Sequence, residues 1–245
     1  MNGNQKRVCL LTGASGRLGA MFCRLYGHRY RIAAVYRTQP VVQPPDMCWH
    51  VDPLDPCVRK PASGHGFEAI RADLADPDEI PRIVDFALAT FGRVDVLVNA
   101  AAIVRCAALL SAELTIADVT RMLDLNTVAP LRLAVELANR FWRARAAENT
   151  AMNRSIVNIS STSGAYVFSG LGQSGYSASK AALNMLTCHM AEEFSTIGIR
   201  VNSVAPDTFP QLVTTESVCD AIARVDQDVV TGKMLLLEAE GETVV

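Results

Sequence analysis

The feature that most constrains the fold is a glycine-rich turn between an apolar strand and an apolar helix. Residues 8–11 form a short apolar run, and a helical pattern begins at Ala20. The residues between them read Thr-Gly-Ala-Ser-Gly-Arg-Leu-Gly, from Thr12 to Gly19. Such a turn lets backbone N–H groups approach a pyrophosphate at the positive end of a helix. The sequence therefore favours a dinucleotide-binding turn over a plain connection.

Short apolar runs continue to alternate with helical patterns along the rest of the chain. This alternation predicts an α/β, three-layer, doubly wound Rossmann fold with a seven-stranded parallel sheet, in one domain over residues 1–245. Residues 39–66 interrupt the pattern, because they carry six prolines and no periodicity. We expect a long loop there, over the adenosine side of the site or on the surface. The other predicted strands are 31–36, 67–72, 94–98, 155–159, 199–204 and 233–237.

Composition excludes several classes of partner. The net charge of −2 over 245 residues gives no reason to expect nucleic acid or an anionic membrane. No apolar run has the length of a membrane span. Seven cysteines, an odd number, fit reduced thiols and a cytoplasmic location. Cys48, His50, Cys57 and His65 in the insertion match no compact zinc spacing, so we predict no metal.

Tyr176 and Lys180 stand four residues apart in a run that reads as a helix. Residues at this spacing share a helix face. A positive charge about 4 Å from the phenol would lower its pKa by roughly three units. Such a tyrosine could give a proton to a carbonyl oxygen near neutral pH. The pair alone is equally compatible with an exposed helix, so the prediction depends on the other motifs.

The end of the second predicted strand indicates the cofactor. NAD sites place an acidic residue there to hold the ribose 2′-hydroxyl. This chain has Arg37 and Thr38 after Tyr36 instead. A guanidinium suits a 2′-phosphate, since arginine binds phosphate through two N–H groups. The sequence therefore favours NADP(H), with an ordinary surface arginine as the alternative.

Taken together, these motifs resemble the compact one-domain type of the short-chain dehydrogenase/reductase family. The resemblance covers nearly the whole chain outside residues 39–66. It implies an NADPH-dependent ketoreductase of a specialised biosynthetic pathway. It also implies a homodimer or homotetramer that assembles through the helices at about 126–146 and 176–196. The motifs that carry it are the turn at 12–19, Asp73-Leu74, Asn99-Ala100-Ala101, Asn126, the serines after 159, Tyr176 with Lys180, Arg200-Val201-Asn202 before Pro206, and Thr231-Gly232.

The resemblance also implies a role for each matching residue. Tyr176 would be the general acid, Lys180 would lower its pKa and bind the nicotinamide ribose, and Asn126 would hold a proton-relaying water. A serine would hydrogen-bond the substrate carbonyl. Ser161 fits the pattern at the strand end and is preferred, while family spacing picks Ser163. The implied cofactor-binding positions are Gly13, Ser15, Gly16, Arg17, Leu18, Gly19, Arg37, Thr38, Asp73, Leu74, Asn99, Ala100, Ala101, Tyr176, Lys180, Pro206 and Phe209.

Three departures from the family pattern bear on the substrate. Arg17 replaces a usual glycine and resembles pteridine reductases, which keeps a pteridine-type C=N reduction as an alternative. Asp207 follows Pro206 where glycine is usual. Few residues separate Pro206 from the helix near Thr215, so we expect a short lid and an open pocket for a large or carrier-borne carbonyl substrate. A non-catalytic NADP(H)-binding sensor or partner protein of the same fold is the second class of function.

Overall fold

The computed structural model describes residues 6–41, 49–52, 55–61, 66–111, 113 and 115–245. Its main sheet has eight strands, which are β1 Arg7–Thr12, β2 Tyr30–Tyr36, β5 Phe67–Arg71, β6 Val96–Asn99, β7 Ser155–Ile159, β8 Arg200–Pro206, β9 Met234–Glu238 and β10 Gly241–Val244. Across the sheet they lie in the order β10-β9-β8-β7-β6-β1-β2-β5. All neighbours are parallel except β9 and β10.

Helices cover both faces of the sheet, as the alternating sequence pattern predicts. The α-helices are α1 Arg17–Tyr26, α2 Glu79–Phe91, α3 Ile116–Leu123, α4 Ala129–Leu137, α5 Ala146–Ala151, α6 Ser174–Ser195 and α7 Thr215–Gln227. Alternate residues of β1 enter different cores, because successive side chains of a strand point to opposite faces. Val8 and Leu10 pack in the core that includes Leu133 and Trp142. Cys9 and Leu11 pack in the other core, against α1 and α7.

Two parts of the fold differ from the sequence prediction. The doubly wound α/β fold is confirmed, but its sheet has an eighth strand, β10, which pairs antiparallel with β9. The insertion is not a loop throughout, since it holds an antiparallel hairpin of β3 Trp49–Asp52 and β4 Asp55–Pro61. Cys48 and His65 lie outside the described residues. Within the described ranges, no three potential ligands group together as a metal site.

The helix expected at about 126–146 is broken into several segments. A π-helical turn, Asp124–Val128, contains Asn126 and joins α3 to α4. Pro130 explains it, because proline has no N–H to bond the carbonyl of Asn126 four residues earlier, and its ring would clash there. A second π-helical turn, Ala138–Trp142, and a 3₁₀ turn, Arg143–Arg145, follow α4.

No helix in the described part of the chain is long and apolar enough to cross a membrane. The longest helix, α6, has 22 residues and carries polar side chains along its length. The carboxyl ends of β1, β6, β7 and β8 meet at one edge of the sheet, which places the segments after these strands around a shared cleft.

Candidate active site

A cleft of about 490 Å³ lies at the carboxyl edge of the sheet. One wall is the glycine turn, and the opposite wall comes from the end of β7 and the start of α6. The lid, defined as residues 207–214 between β8 and α7, contributes Asp207, Thr208 and Phe209. A second cavity of about 210 Å³ adjoins it at the end of β2 and shares Gly13, Gly16, Ala100 and Ala102. The site is therefore an elongated groove across the sheet edge.

The glycine turn is shaped for close approach by a ligand. Gly13 has φ +67°, and a Cβ there would meet the Ala101 backbone at 2.8 Å. A Cβ on Gly19 would lie 2.4 Å from the Gly13 carbonyl oxygen. Glycine is required at both positions, so the backbone is bare at the start of α1. A dinucleotide fits this surface, since the N–H groups at the helix N-terminus would face its phosphates.

Thr12 fixes the neighbouring wall of the groove. Its hydroxyl accepts hydrogen bonds from the N–H groups of Ala100 and Ala101, at 3.0 and 3.1 Å. The segment after β6 is thereby held against the glycine turn. The sequence predicted both segments as cofactor contacts, and the structure places them side by side.

Tyr176, Lys180 and Ser161 come together in the cleft. Tyr176 and Lys180 lie on α6, with the Lys180 Nζ 5.8 Å from the centre of the tyrosine ring. Ser161 and Tyr176 line the same cleft, and the Ser161 side chain lowers the pKa of Tyr176. Ser163 follows a different path, because its hydroxyl donates to Gln173 Oε1 at 3.0 Å. Of the two candidate serines, Ser161 is therefore the one beside the phenol.

The electrostatics of this pair differ from the sequence prediction. Burial raises the pKa of Tyr176, and the hydrogen bond with Ser161 opposes this effect. Burial lowers the pKa of Lys180 to about 8. The Lys180 ammonium donates to the Ile159 carbonyl oxygen at 2.7 Å. The pKa of Tyr176 is thus raised in this arrangement and not lowered as the Tyr176/Lys180 spacing predicted, because burial is the largest influence on the phenol.

Asn126 lies below the cleft in the π-helical turn and is buried. Its side chain accepts from the Ile103 N–H at 2.9 Å and donates to the Ile103 carbonyl at 2.9 Å. It also donates to Ser179 Oγ at 3.0 Å. Both amide N–H groups are thus engaged, and the side chain ties the segment after β6 to α6. A relay water would therefore have to donate to an Asn126 oxygen. The backbone carbonyl oxygen is one such acceptor, because Pro130 has no N–H to bond it.

The adenosine end of the groove contains most of the remaining predicted residues. The second cavity is lined by Ser15, Arg37, Thr38, Asp73, Leu74 and Ala101. A further cavity of about 480 Å³ brings Arg37 together with Arg71, Arg82 and Arg121. These three arginines carried no motif in the sequence, because their meeting depends on the packing of β5, α2 and α3.

One predicted cofactor contact is set back from the groove. Asn99 is buried, and its Nδ2 donates to Asn158 Oδ1 at 2.8 Å. Asn158 in turn donates to Thr187 on α6 at 2.9 Å. Asn99 lines neither the main cleft nor the second cavity. Its side chain links β6 to β7 behind the site.

The lid is as short as the sequence predicted. Arg17, which begins α1 on the opposite side of the groove, contacts the lid. Its Nη1 donates to the Phe209 carbonyl oxygen at 3.2 Å. Pro206 and Leu18 complete this end of the cleft. Gln173 is a lining residue that the motifs did not single out. The signal for it was its position three residues before Tyr176, immediately before α6 begins.

Comparison with known proteins places this groove in context. Residues 7–218 match the family described as short chain dehydrogenase. Cis-4-hydroxycyclohexanecarboxylate dehydrogenase from Sinomonas cyclohexanicum is 33% identical over 204 residues, covering 82% of this chain and 72% of the relative. Acetoacetyl-CoA reductase from Cupriavidus necator is 29% identical over 206 residues, covering 82% and 74%.

A solved structure agrees with the same relationship. An oxidoreductase of the short chain dehydrogenase/reductase family from Brucella ovis, in complex with a partially ordered NAD, superposes with a TM-score of 0.71. It is 28% identical, and the superposition covers 95% of this chain and 99% of that one.

Proposed function

The chain belongs to the short-chain dehydrogenase/reductase family, an oxidoreductase family that uses nicotinamide cofactors, and from that premise we propose that it is an NADP(H)-dependent ketoreductase. The observation that carries the proposal is the convergence of Ser161, Tyr176 and Lys180 in a cleft that begins at the glycine turn. A protein that only bound the dinucleotide would have no use for a phenol and a hydroxyl at that point.

The roles follow from the surroundings of each group. A nicotinamide cofactor held along the groove would supply the hydride. The Ser161 hydroxyl donates to the substrate carbonyl oxygen and orients it towards Tyr176. Tyr176 donates its proton to that oxygen, and its phenol is protonated at neutral pH because even an ordinary tyrosine has a pKa of about 10. Lys180 binds ribose hydroxyls, and the carboxyl end of β7 holds its amine in place through Ile159.

The preference for NADP(H) rests on charge at the adenosine end. Arg37 follows β2 where an acidic residue would serve NAD. Its guanidinium makes no side-chain hydrogen bond or ion pair with the described residues, so it is available to a 2′-phosphate. The relatives named above supply the activity class, since one reduces acetoacetyl-CoA and another is a dehydrogenase of a cyclic alcohol by their names.

Arg17 supports a second candidate, a pteridine-type C=N reductase. Its guanidinium lies between the glycine turn and the lid, where it could face a cofactor phosphate and a flat heterocycle together. In both candidates the protein is a cytoplasmic homodimer or homotetramer, and its reaction belongs to a biosynthetic pathway.

The decisive test is Tyr176→Phe assayed against wild type. Turnover of a ketone panel with NADPH should fall by about 10²–10⁴-fold, because the proton donor is lost. NADPH binding, followed by nucleotide fluorescence, should remain within about twofold of wild type, since the hydroxyl is not the main cofactor contact. Unchanged turnover would refute the mechanism. Wild-type protein that turns over dihydropterins but no ketone would favour the C=N reductase. Wild-type protein that binds NADPH but turns over no substrate would favour the non-catalytic NADP(H)-binding protein.

A further inference from the structure

The main cleft holds a charged group that the proposed mechanism does not use. Asp207 follows β8, and among the described residues that line this cleft it is the only one with a carboxylate. Arg17 and Lys180 are the other charged lining residues, and both are cations. The phosphates of a bound dinucleotide would repel the Asp207 carboxylate, so a positive charge is needed close to it.

Asp207 lies at the reacting end of the groove, away from the glycine turn. β8 pairs in parallel with β7 as far as the last residue of β7. The segments that leave these two strands, with Asp207 on one and Ser161 on the other, therefore start side by side. From there the lid runs towards the phosphate end, where the Phe209 carbonyl oxygen meets Arg17 at the start of α1.

The backbone of Asp207 and one of its carboxylate oxygens are held in place. Its N–H donates to the Leu237 carbonyl oxygen at 2.9 Å, which ties the residue to β9. Oδ1 accepts from the Thr208 N–H at 2.6 Å and from Thr208 Oγ1 at 3.4 Å. Within the described ranges, Oδ2 accepts no hydrogen bond and no cation forms an ion pair with Asp207. The side chain is half-buried, so Oδ2 is left for a bound molecule.

The proposed reaction creates a positive charge at this end of the groove. A reduced nicotinamide ring is neutral, and loss of a hydride with its two electrons to the carbonyl carbon leaves the ring as a cation. The proton that completes the alcohol comes from Tyr176. Lys180 and Arg17 oppose the new positive charge, whereas the Asp207 carboxylate favours it. Opposite charges attract more strongly in a partly desolvated cleft than in water.

We propose that Asp207 faces the nicotinamide ring and stabilises its oxidised, positively charged form. The inference rests on the proposed function, because it needs a nicotinamide cofactor with its ring beside Ser161 and Tyr176. It gives a role to an acidic residue that stands where glycine is usual in the family. Asp207 makes loss of the hydride easier in the direction of carbonyl reduction, and it binds NADP⁺ more tightly than a neutral side chain would.

The experiment measures cofactor binding and needs no substrate. Titration with NADPH, followed by nucleotide fluorescence, gives the Kd for NADPH, and displacement of NADPH by NADP⁺ gives the Kd for NADP⁺. The quantity compared is the ratio of the Kd for NADP⁺ to the Kd for NADPH. Asp207→Asn removes the charge and keeps an oxygen that accepts from Thr208. The ratio should rise by about 5- to 10-fold, almost entirely through weaker binding of NADP⁺.

Three further variants separate the charge from the shape of the side chain. Asp207→Gly removes the charge in a second way and should give the same rise in the ratio. Asp207→Glu keeps the charge on a longer chain and should hold the ratio within about threefold of wild type. Asp228→Asn is the matched control, because Asp228 is exposed, lies outside the cleft lining and likewise accepts from the next backbone N–H at 2.6 Å. It should leave both Kd values unchanged.

Each result either supports the inference or overturns it. An equal loss of affinity for the two nucleotides in Asp207→Asn would mean that the carboxylate shapes the lid or holds a neutral part of the cofactor, which overturns the role in charge stabilisation. An unmoved ratio in both Asp207→Asn and Asp207→Gly would overturn it as well, and would point to a cationic group on the substrate as the partner of Asp207. Wild-type protein that binds neither nucleotide would refute the proposed function itself, whereas tight wild-type binding with an unmoved ratio in the variants refutes only the inference.

Discussion

The buried Lys180 should destabilise the folded protein, so replacing it by methionine should raise the free energy of unfolding at neutral pH. Its side chain is buried at 2% exposure, and burial lowers its pKa from 10.5 to about 8. Each pKa unit corresponds to about 1.4 kcal/mol, so keeping the ammonium protonated in the folded state costs about 3 kcal/mol. Lys180→Met removes the charge and keeps a flexible chain of similar volume. We therefore expect it to be more stable than wild type by up to about 3 kcal/mol at pH 7.

The sign of the pH dependence distinguishes this cause from simple packing. Between pH 8 and 10.5 the unfolded chain holds the Lys180 proton and the folded chain releases it. The unfolded state binds more protons in that window, so wild-type stability rises with pH relative to Lys180→Met. The advantage of the variant should be full below pH 8 and should vanish as the pH approaches 10.5.

Urea denaturation of the cofactor-free proteins at pH 7, 8, 9 and 10, followed by circular dichroism, measures this difference. Lys233→Met is the matched control, because Lys233 is exposed and should give a small difference that does not change with pH. The variant should also be inactive, since Lys180 belongs to the proposed catalytic set. A Lys180→Met protein less stable than wild type at pH 7, or a stability gap that is constant from pH 7 to 10, would refute the reasoning.

Two further predictions concern charged groups at opposite ends of the sheet. Arg37→Gln should weaken NADPH binding by about 10-fold or more while changing NADH binding little, because a charge-assisted bond to the 2′-phosphate is lost. Fluorescence titration at fixed salt measures the binding of both nucleotides, and Arg143→Gln is the exposed control. Equal losses of affinity for the two nucleotides would contradict the assignment of Arg37 to the 2′-phosphate. Asp226→Ala should lower the free energy of unfolding by about 3–5 kcal/mol, because it leaves the half-buried Arg7 guanidinium without its carboxylate and the hydroxyls of Tyr30 and Ser155 without their acceptor. Asp85→Ala, which breaks the exposed ion pair with Arg140, should cost at most about 1 kcal/mol in the same urea assay.

Local patterns predicted the elements that depend on local residues. The glycine turn required a strand before it and a helix after it, and both are present as β1 and α1. Strand ends shifted by one or two residues, as in β6, which begins at Val96 instead of residue 94. These shifts did not change the predicted site, because the functional residues lie just after the strands. A shift of one or two residues in a strand end leaves them at the same edge of the sheet.

The features that sequence reasoning missed depend on distant pairing or on burial. β10 reads as a polar tail, and it becomes a strand only because its backbone bonds β9. The hairpin of β3 and β4 lies in a proline-rich stretch where strand propensity is low. The spacing of Tyr176 and Lys180 gave their common face but not their solvation, so the direction of the tyrosine pKa came out wrong. The bond from Ser163 to Gln173 spans a loop whose course the sequence does not specify.

The two ends of β7 hold contacts of opposite effect on stability, a stabilising polar cluster at one end and the buried Lys180 at the other. At the amino end, Ser155 and Tyr30 donate to the buried Asp226 carboxylate, at 2.5 and 2.8 Å, beside Arg7. At the carboxyl end, Ile159 accepts from Lys180. Four residues of strand separate these contacts by about 13 Å, and groups that far apart contribute to stability independently.

This independence gives a final prediction for the double variant Asp226→Ala, Lys180→Met. The loss of about 3–5 kcal/mol from the first change and the gain of about 3 kcal/mol from the second should add at pH 7 to within about 0.5 kcal/mol. The double variant should therefore unfold within about 2 kcal/mol of wild type, although it is inactive. A larger coupling in the urea assay would mean that β7 transmits strain between its ends, and that the ion-pair cluster around Asp226 helps to hold Lys180 in place.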